Sequence, residues 1–318
     1  CGINMRFTVM ICILRPINIT KEAVVEKVIE SNILINKMIA TLGELPASPQ
    51  IVNSVMKMAS DPDADVNKME KLLAADPSLS AKLLKLSNST FYGQRKSVST
   101  LKQAIIIIGF YSLRSLVVAA SIHSLYGNKR GNNTLETLWK HSLATAMTCR
   151  LVANKINHKH PEEAFMGGLL HDIGKMVMIQ KVGRDYEGLI RSIEKEKLNF
   201  HIAEEEELGF THCDVGMMLL SKWNLPQELI NSVYNHHSPE LPENQAPEQI
   251  NASEVPIEYL IQFSNEIAKR CGYGFDDNRV DSLNHLLFMQ IVEMQMDEVE
   301  ELGERLVSEF EHELSLFE

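Results

Sequence analysis

The chain is predicted to be an all-α protein, and the spacing of its apolar residues is the main evidence. Leu79, Leu83 and Leu86 lie four and three residues apart, which is the spacing of one helix face. Residues 66–73 and 113–120 show the same period. Runs of alternating β-branched residues, which would predict strands, do not occur outside residues 7–14.

Proline and acidic residues predict where helices begin. Asp76-Pro77 and residues 61–62 each place proline where a first helical turn tolerates it. Pro161 and Pro226 do the same, and the acids that follow them suit the positive end of a helix dipole. We therefore expect helices to start at these four places.

Two further segments are also assigned to helices. Residues 105–108 are all isoleucine, but the pattern around them, over residues 99–109, is helical. Residues 283–317 predict a terminal helical segment with a strongly acidic face. That face would either meet a partner or only face water.

Length and composition limit the class of protein. The chain has 318 residues, 45% hydrophobic and 23% charged, which suits about two folded domains and excludes wholesale disorder. Residues 7–14 form the longest mostly apolar run and are too short to span a bilayer, so we expect no membrane insertion. The cysteines at positions 1, 12, 149, 213 and 271 have no paired spacing, which predicts free thiols and a cytoplasmic protein.

Charge is unevenly distributed along the chain. Residues 271–318 carry 13 acids and 2 bases, whereas residues 1–270 are neutral overall. Residues 77–135 contain eight bases and no acid. This basic stretch could bind an anionic partner, or its charges could simply be solvated and balanced by the acidic end.

Loop composition suggests one boundary between two subdomains. Residues 126–133 contain two glycines and three asparagines, which is typical of a loop between subdomains. Residues 238–256 contain four prolines and predict a long loop within the second half.

Histidines are the best candidates for chemistry. His171 is followed at once by Asp172, and an imidazole beside a carboxylate suits iron, manganese or zinc. Lys175 would share a face with His171 if one helix continued through both, and its ammonium group could hold a phosphate. Six other histidines have no such context and are expected to be surface or packing residues: His123, His158, His160, His201, His285 and His312.

Six segments resemble the HDOD family, the HD-related output domain of bacterial signalling proteins. The resemblance extends over roughly residues 38–240. The matching segments are LPASP (45–49), DPSLSAKLLKLSNS (76–89), FYG (91–93), AIIIIG (104–109), WKHS (139–142) and GLLHDIG (168–174).

This resemblance implies an N-terminal helical bundle packed on an HD-type helical domain. The corresponding divisions are residues 1–37 as an N-terminal extension, 38–130 as the bundle, 131–270 as the HD-like subdomain and 271–318 as an acidic C-terminal segment. HDOD proteins are regarded as regulatory outputs without an agreed activity, whereas related HD and HD-GYP proteins are metal-dependent phosphohydrolases.

The resemblance also implies a set of metal ligands. His141 would be the first ligand and His171-Asp172 the signature pair. The additional histidines of the two-metal branch would correspond to His212, His236 and His237. The closing aspartate of the HD pattern falls at Asn265, a weaker ligand, and no Gly-Tyr-Pro motif follows His237, so cleavage of cyclic di-GMP is not expected.

Two functions from different classes remain open. The first is a non-catalytic module that acts through a signalling protein in trans, with any iron, manganese or zinc ion serving structure. The second is a metal-dependent phosphohydrolase in which Asp172 and Lys175 serve catalysis on a nucleotide or phosphate ligand. We favour the first, with no nucleic-acid partner. Its predicted partner surface consists of Lys82, Lys85, Asn88, Arg95 and Lys96.

Overall fold

A computed structural model describes residues 31, 33–40, 49–59, 61, 63–88, 98–127, 133–241, 246–275 and 287–317. All regular elements in these ranges are helices, which confirms the all-α class. Residues 7–14 lie outside them. The α-helices are α1 (residues 33–40), α2 (Pro49–Ala59), α3 (Val66–Ala74), α4 (Pro77–Ser87), α5 (Leu101–Gly127), α6 (Asn133–Lys155), α7 (Pro161–Leu170), α8 (Ile173–Lys181), α9 (Arg184–Glu196), α10 (Phe200–Leu208), α11 (His212–Lys222), α12 (Gln227–Asn235), α13 (Ile257–Arg270), α14 (Leu287–Val292) and α15 (Met296–Phe317).

Caps explain where the early helices begin. The Asp76 side chain accepts a hydrogen bond from the Leu79 amide, so α4 starts at the predicted Asp76-Pro77. The start predicted at residues 61–62 is wrong, because α3 is capped by Asp65 instead. The Asp61 carbonyl accepts from the Ala64 amide in a turn before that cap. A proline in a tight turn and a proline in a first helical turn look alike in sequence.

Helix α5 is the central helix of the N-terminal half and bends at Gly109, whose φ is 80°. It packs against α2, α3 and α4 on the bundle side and against α6 and α7 on the other. Residues Leu101–His123 are long and apolar enough to cross a membrane, with a mean hydropathy of 2.0, so the expectation that residues 7–14 form the longest mostly apolar run is wrong. Of that window, 61% is buried inside the protein. A buried core helix meets the same criterion, and Arg114 within it pairs with Glu163 of α7.

The second half is built around α6, which is buried along most of its length. Two glycines let α7 approach it and α13 closely. A Cβ on Gly168 would lie 2.9 Å from the Ala146 Cα, and one on Gly167 would lie 2.7 Å from an Ile261 side-chain carbon. A larger residue at Gly168 would push α7 away from the α6 backbone, whereas one at Gly167 would displace the end of the Ile261 side chain.

Helix α15 is amphipathic and packs on α6, α13 and α4. Its buried face carries Leu302, Leu306, Phe310 and Leu314, and most of its acids lie on the opposite, exposed face. The acidic segment is thus anchored to the rest of the protein along an apolar stripe.

The predicted subdomain boundary at 130/131 lies outside the described residues, between the end of α5 and the start of α6. One hydrophobic core crosses it, and this core contains Leu83 and Val117 from the first half and Leu143 and Phe310 from the second. The predicted extension, residues 1–37, lies almost entirely outside the described residues.

Candidate functional site

The His171-Asp172 pair lies in a tight turn between α7 and α8. The helix does not continue from His171 to Lys175, so the expectation of one shared helix face is wrong. Lys175 instead reaches the carboxylate, with its Nζ 2.9 Å from Asp172 Oδ2 and 4.3 Å from the centre of the Phe200 ring. The ammonium group is buried and already paired with Asp172.

A first group of ligand-type atoms surrounds Asp172 Oδ2. The Nε2 atoms of His141 and His171 are 3.2 Å apart. They lie 3.5 Å and 3.4 Å, respectively, from Asp172 Oδ2. Residues thirty positions apart in the sequence therefore meet at one point, as the resemblance implied.

A second group of ring nitrogens lies on the other side of the same carboxylate. His212 Nε2 is 3.3 Å from Asp172 Oδ1 and 3.0 Å from His237 Nε2. His236 Nε2 is 4.0 Å from Asp172 Oδ1. Asp172 thus stands between two sets of histidines, one on each carboxylate oxygen.

The far nitrogens of four rings are held by oxygen acceptors. Nδ1 of His141 faces the Tyr273 carbonyl at 3.1 Å, and Nδ1 of His171 faces the Gly168 carbonyl at 2.7 Å. Nδ1 of His236 faces the Val233 carbonyl at 2.6 Å, and Nδ1 of His212 faces a Glu204 carboxylate oxygen. A ring that donates from Nδ1 turns the Nε2 lone pair toward Asp172, which is the arrangement of histidines that ligate metals.

Burial and nearby charge decide the protonation of the site. Burial lowers the pKa of His171 to about 3 and holds the pKa values of His236 and His237 well below the usual range. Burial alone would raise the pKa of Asp172, but His171 and Lys175 outweigh it and hold that pKa well below its usual range. Burial would lower the pKa of His212, but Cys213 and Glu204 raise it to about 10, so without a metal ion its Nε2 carries a proton, which a bound ion would displace.

These residues fit a metal ion. Two ligands at about 2.1 Å from one ion lie about 3.0 Å apart at an octahedral angle and about 3.4 Å apart at a tetrahedral angle. The observed separations of 3.2, 3.4 and 3.5 Å agree with this. In addition, Asp172 Oδ1 and His236 Nε2 are buried without a hydrogen-bond partner among the described residues. Facing lone pairs repel unless a proton or a cation lies between them.

Two other buried residues, Cys213 and Asn265, carry atoms that could ligate a metal ion. Cys213 Sγ is 3.9 Å from His236 Nδ1, the nitrogen that also faces Val233, so the thiol lies behind that ring rather than beside its Nε2. Asn265 is buried on α13, and its Oδ1 has no hydrogen-bond partner among the described residues. That oxygen therefore forms no hydrogen bond to the cluster.

The cluster is closed to solvent except at His237. His141, His171, Asp172, His212 and His236 are 0–2% exposed, and His237 is partly exposed. Residues 271–275, which we term the closing segment, follow α13 and cover His141. A Cβ on Gly274 would lie 2.8 Å from the His141 ring. Tyr273 stacks on Phe310 of α15 with ring centres 4.0 Å apart.

The described part of the predicted partner surface makes internal contacts. The Asn88 amide bonds both backbone groups of Val98 and so joins the end of α4 to the segment before α5. Lys85 Nζ donates to the Ser315 carbonyl at 2.7 Å, and Lys82 is half-buried. Arg95 and Lys96 lie outside the described residues.

Among the histidines without motif context, one has a position that the sequence did not indicate. His201 lies against His237 at the partly exposed side of the cluster, with ring centres 5.4 Å apart. His123 packs against Trp139 and Phe317, and burial lowers its pKa to about 4. His158 bonds the Val255 carbonyl, His160 and His312 are surface residues, and His285 lies outside the described residues.

Sequence reasoning missed Glu204 and Tyr186. Glu204 is the first of four consecutive glutamates, a pattern typical of a solvated face, yet it is fully buried and bonded to His212 and Tyr186. Its position one residue after the buried Ala203 and four after the buried Phe200 was the available signal.

The fold and the cluster define an all-helical protein with an HD-type His/Asp centre. Residues 45–239 match the family described as HDOD domain, and since this is more than half of the chain, the chain belongs to the HDOD domain family.

Three relatives illustrate the similarity. A structure of an HDOD domain protein of unknown function from Geobacter sulfurreducens is 26% identical, covering 92% of this chain and 98% of that one, with a TM-score of 0.72. A Shewanella amazonensis SB2B structure, provisionally described as a phosphohydrolase, is 21% identical, covering 89% of this chain and 96% of that one, with a TM-score of 0.66, and shows the fold alone. The Vibrio cholerae protein named cyclic di-GMP phosphodiesterase CdgJ is 30% identical over 120 residues, which are 37% of this chain and 27% of that protein. The chain spans 25–40% of the length of the curated relatives it matches.

Proposed function

We propose that this protein is a signal-transduction output module that holds a divalent metal ion in its HD-like pocket and acts by contact with a partner protein in trans. The observation that carries the proposal is the closed cluster, in which ring nitrogens face one another around Asp172 while five side chains are at most 2% exposed. Such a cluster favours a cation at its centre and offers almost no surface to a substrate.

The residues present suit one or two ions. His141, His171 and Asp172 would hold one, and His212 with His237 would hold a second across the same carboxylate. Nitrogen and carboxylate donors suit iron, manganese or zinc. When bound, such a metal supplies Lewis acidity and a low-pKa water. The protein itself orients the rings through their Nδ1 acceptors and excludes bulk water.

Contacts between the pocket and the bundle support an output role. The closing segment holds His141 through the Tyr273 carbonyl and packs on α15 through the Tyr273 ring. Helix α15 in turn reaches the bundle, where Lys85 binds the Ser315 carbonyl. A change in the pocket would therefore be transmitted to the basic face of α4, which carries Lys82 and Lys85.

The experiment compares two charge reversals in the native host. Lys82→Glu with Lys85→Glu alters the basic face, and Arg191→Glu with Lys195→Glu makes the same charge change on the exposed side of α9. We expect only the first pair to abolish the signalling phenotype, with metal content by elemental analysis unchanged in both. Both should stay folded by circular dichroism, and only the first pair should melt at a slightly lower temperature, because it loses the hydrogen bond from Lys85 to Ser315. A phenotype that survives the first pair would contradict action through this face.

The alternative is a metal-dependent phosphohydrolase. It is favoured by the intact His141, His171-Asp172 and Lys175 constellation and by the descriptions of some relatives. The substrate would be a nucleotide or another phosphate ester. Protein loaded with Mn²⁺, Fe²⁺ or Zn²⁺ would then hydrolyse such esters, and Asp172→Asn would abolish the reaction while leaving the fold intact. Turnover of that kind would replace the first proposal.

A further inference from the structure

Glu204 stands out because it is a completely buried carboxylate in a run of exposed ones. Its Oε2 accepts hydrogen bonds from the His212 backbone amide at 2.8 Å and from His212 Nδ1 at 2.5 Å. Its Oε1 accepts from the Tyr186 hydroxyl. Both partners are also buried, so three side chains from α9, α10 and α11 form one continuous polar network.

The acceptor behind His212 differs from those behind the other rings of the described cluster. His141, His171 and His236 each face a neutral backbone carbonyl, whereas His212 faces a carboxylate. A charged acceptor forms a stronger hydrogen bond and raises the electron density of the ring it holds. It also fixes the ring orientation more firmly than a carbonyl does.

We propose that Glu204 is the positioning residue of the pocket: it holds Nδ1–H of His212 so that Nε2 points at Asp172 and His237, and Tyr186 holds Glu204 in turn. The inference rests on the metal site of the proposed function and assigns a role that the HD-type pattern of histidines and aspartates does not contain. Glu204 touches no substrate or ion, so its effect passes through His212.

Glu204→Gln is the informative change because it keeps the size of the side chain. Because the Oε2 position receives two N–H groups of His212, Gln would place its amide oxygen there and turn its NH2 toward the Tyr186 hydroxyl. The change therefore removes the charge of the acceptor and weakens the hydrogen bond to Nδ1–H. We expect Zn²⁺ affinity to fall about 10- to 100-fold. The matched control is Glu206→Gln on the exposed side of α10, which should leave affinity unchanged.

The first readout needs no metal. In protein with ¹⁵N-labelled histidine, the His212 Nδ1–H resonance should lie far downfield in the wild type and in Glu206→Gln, and should be lost or shifted upfield in Glu204→Gln. The second readout is Zn²⁺ affinity by competition with a chelating dye, supported by the visible spectrum of the Co²⁺ form.

An upfield shift or loss of the resonance together with weaker Zn²⁺ binding supports the inference. An unchanged resonance, or a shifted one with unchanged affinity and an unchanged Co²⁺ spectrum, overturns it while leaving the metal site in place. A wild-type protein that binds no metal overturns the metal site itself, and the inference with it. If Glu204→Gln does not fold, Tyr186→Phe provides the test, with an expected loss in affinity below tenfold.

Discussion

Replacing Gly174 with alanine is expected to disrupt the site from within the fold. Gly174 is the second residue of α8, two positions after Asp172. A Cβ built on it would lie 1.9 Å from the His212 carbonyl oxygen and 2.9 Å from the Gly216 amide nitrogen. Both obstacles are backbone atoms of α11, so no change of rotamer can relieve the contact.

The size of the destabilisation by Gly174→Ala follows from these distances. Ordinary non-bonded contact needs about 3.5 Å, so α8 and α11 would have to separate by about 1.5 Å near His212. Overpacking of this kind costs about 1–3 kcal/mol, and alanine regains about 1 kcal/mol through its higher helix propensity. Because backbone yields less readily than side chains, we expect a net destabilisation of about 2 kcal/mol. The 3.3 Å contact between His212 Nε2 and Asp172 Oδ1 should also be lost, and Zn²⁺ binding should weaken as a result.

Urea denaturation measures the free energy of unfolding, and a Zn²⁺ titration measures the site. Gly188→Ala on α9 is the matched control, because its nearest neighbour is an Arg191 side-chain atom 3.8 Å away. That variant should be stabilised by up to about 1 kcal/mol. A Gly174→Ala protein as stable as Gly188→Ala, with normal Zn²⁺ affinity, would refute the reasoning.

Three further outcomes are expected. The folded-state pKa of His171 is about 3, below its unfolded value, so the unfolded chain binds the proton first and stability falls as the pH drops below about 6.5. Between pH 7 and pH 5 this ring alone should cost about 2 kcal/mol, His236 and His237 act in the same direction, and His212, whose pKa is raised, offsets less than about 1 kcal/mol. The loss measured by denaturation should therefore be at least about 2 kcal/mol, and a flat profile would contradict it. Zn²⁺ at 100 times its dissociation constant should stabilise the wild type by about 2.7 kcal/mol and should leave the stability of Asp172→Ala unchanged. Thermal melting measures both, and equal shifts in the melting temperatures of the two proteins would place the ion elsewhere. Phe310→Ala should cost about 3–5 kcal/mol, because it empties a buried site and removes the stack on Tyr273; a loss below 1 kcal/mol would show that α15 is loosely attached.

Local sequence rules predicted much of the helix pattern, but they failed where contacts between distant residues set the structure. Asp76-Pro77 predicted the start of α4 because cap chemistry acts within four residues. A helix through both His171 and Lys175 would have placed them on one face, but the helix breaks at Asp172, and local propensity gave no sign of that break. Glu204 resembled its exposed neighbours in sequence, and only the packing of α10 against α11 turned it inward.

The sequence by itself determined the all-α class, because the period of a helix is readable along one dimension. The residue chemistry pointed to His171 and Asp172, and the family resemblance added His141 and His212 as candidates. Only the tertiary structure decided that these residues meet around one carboxylate, that a backbone or carboxylate oxygen stands behind each ring, and that the closing segment covers them. These features depend on distances between helices far apart in the chain. Such distances are set by which residues fit against each other, such as Gly168 against Ala146 and Gly174 against the His212 carbonyl.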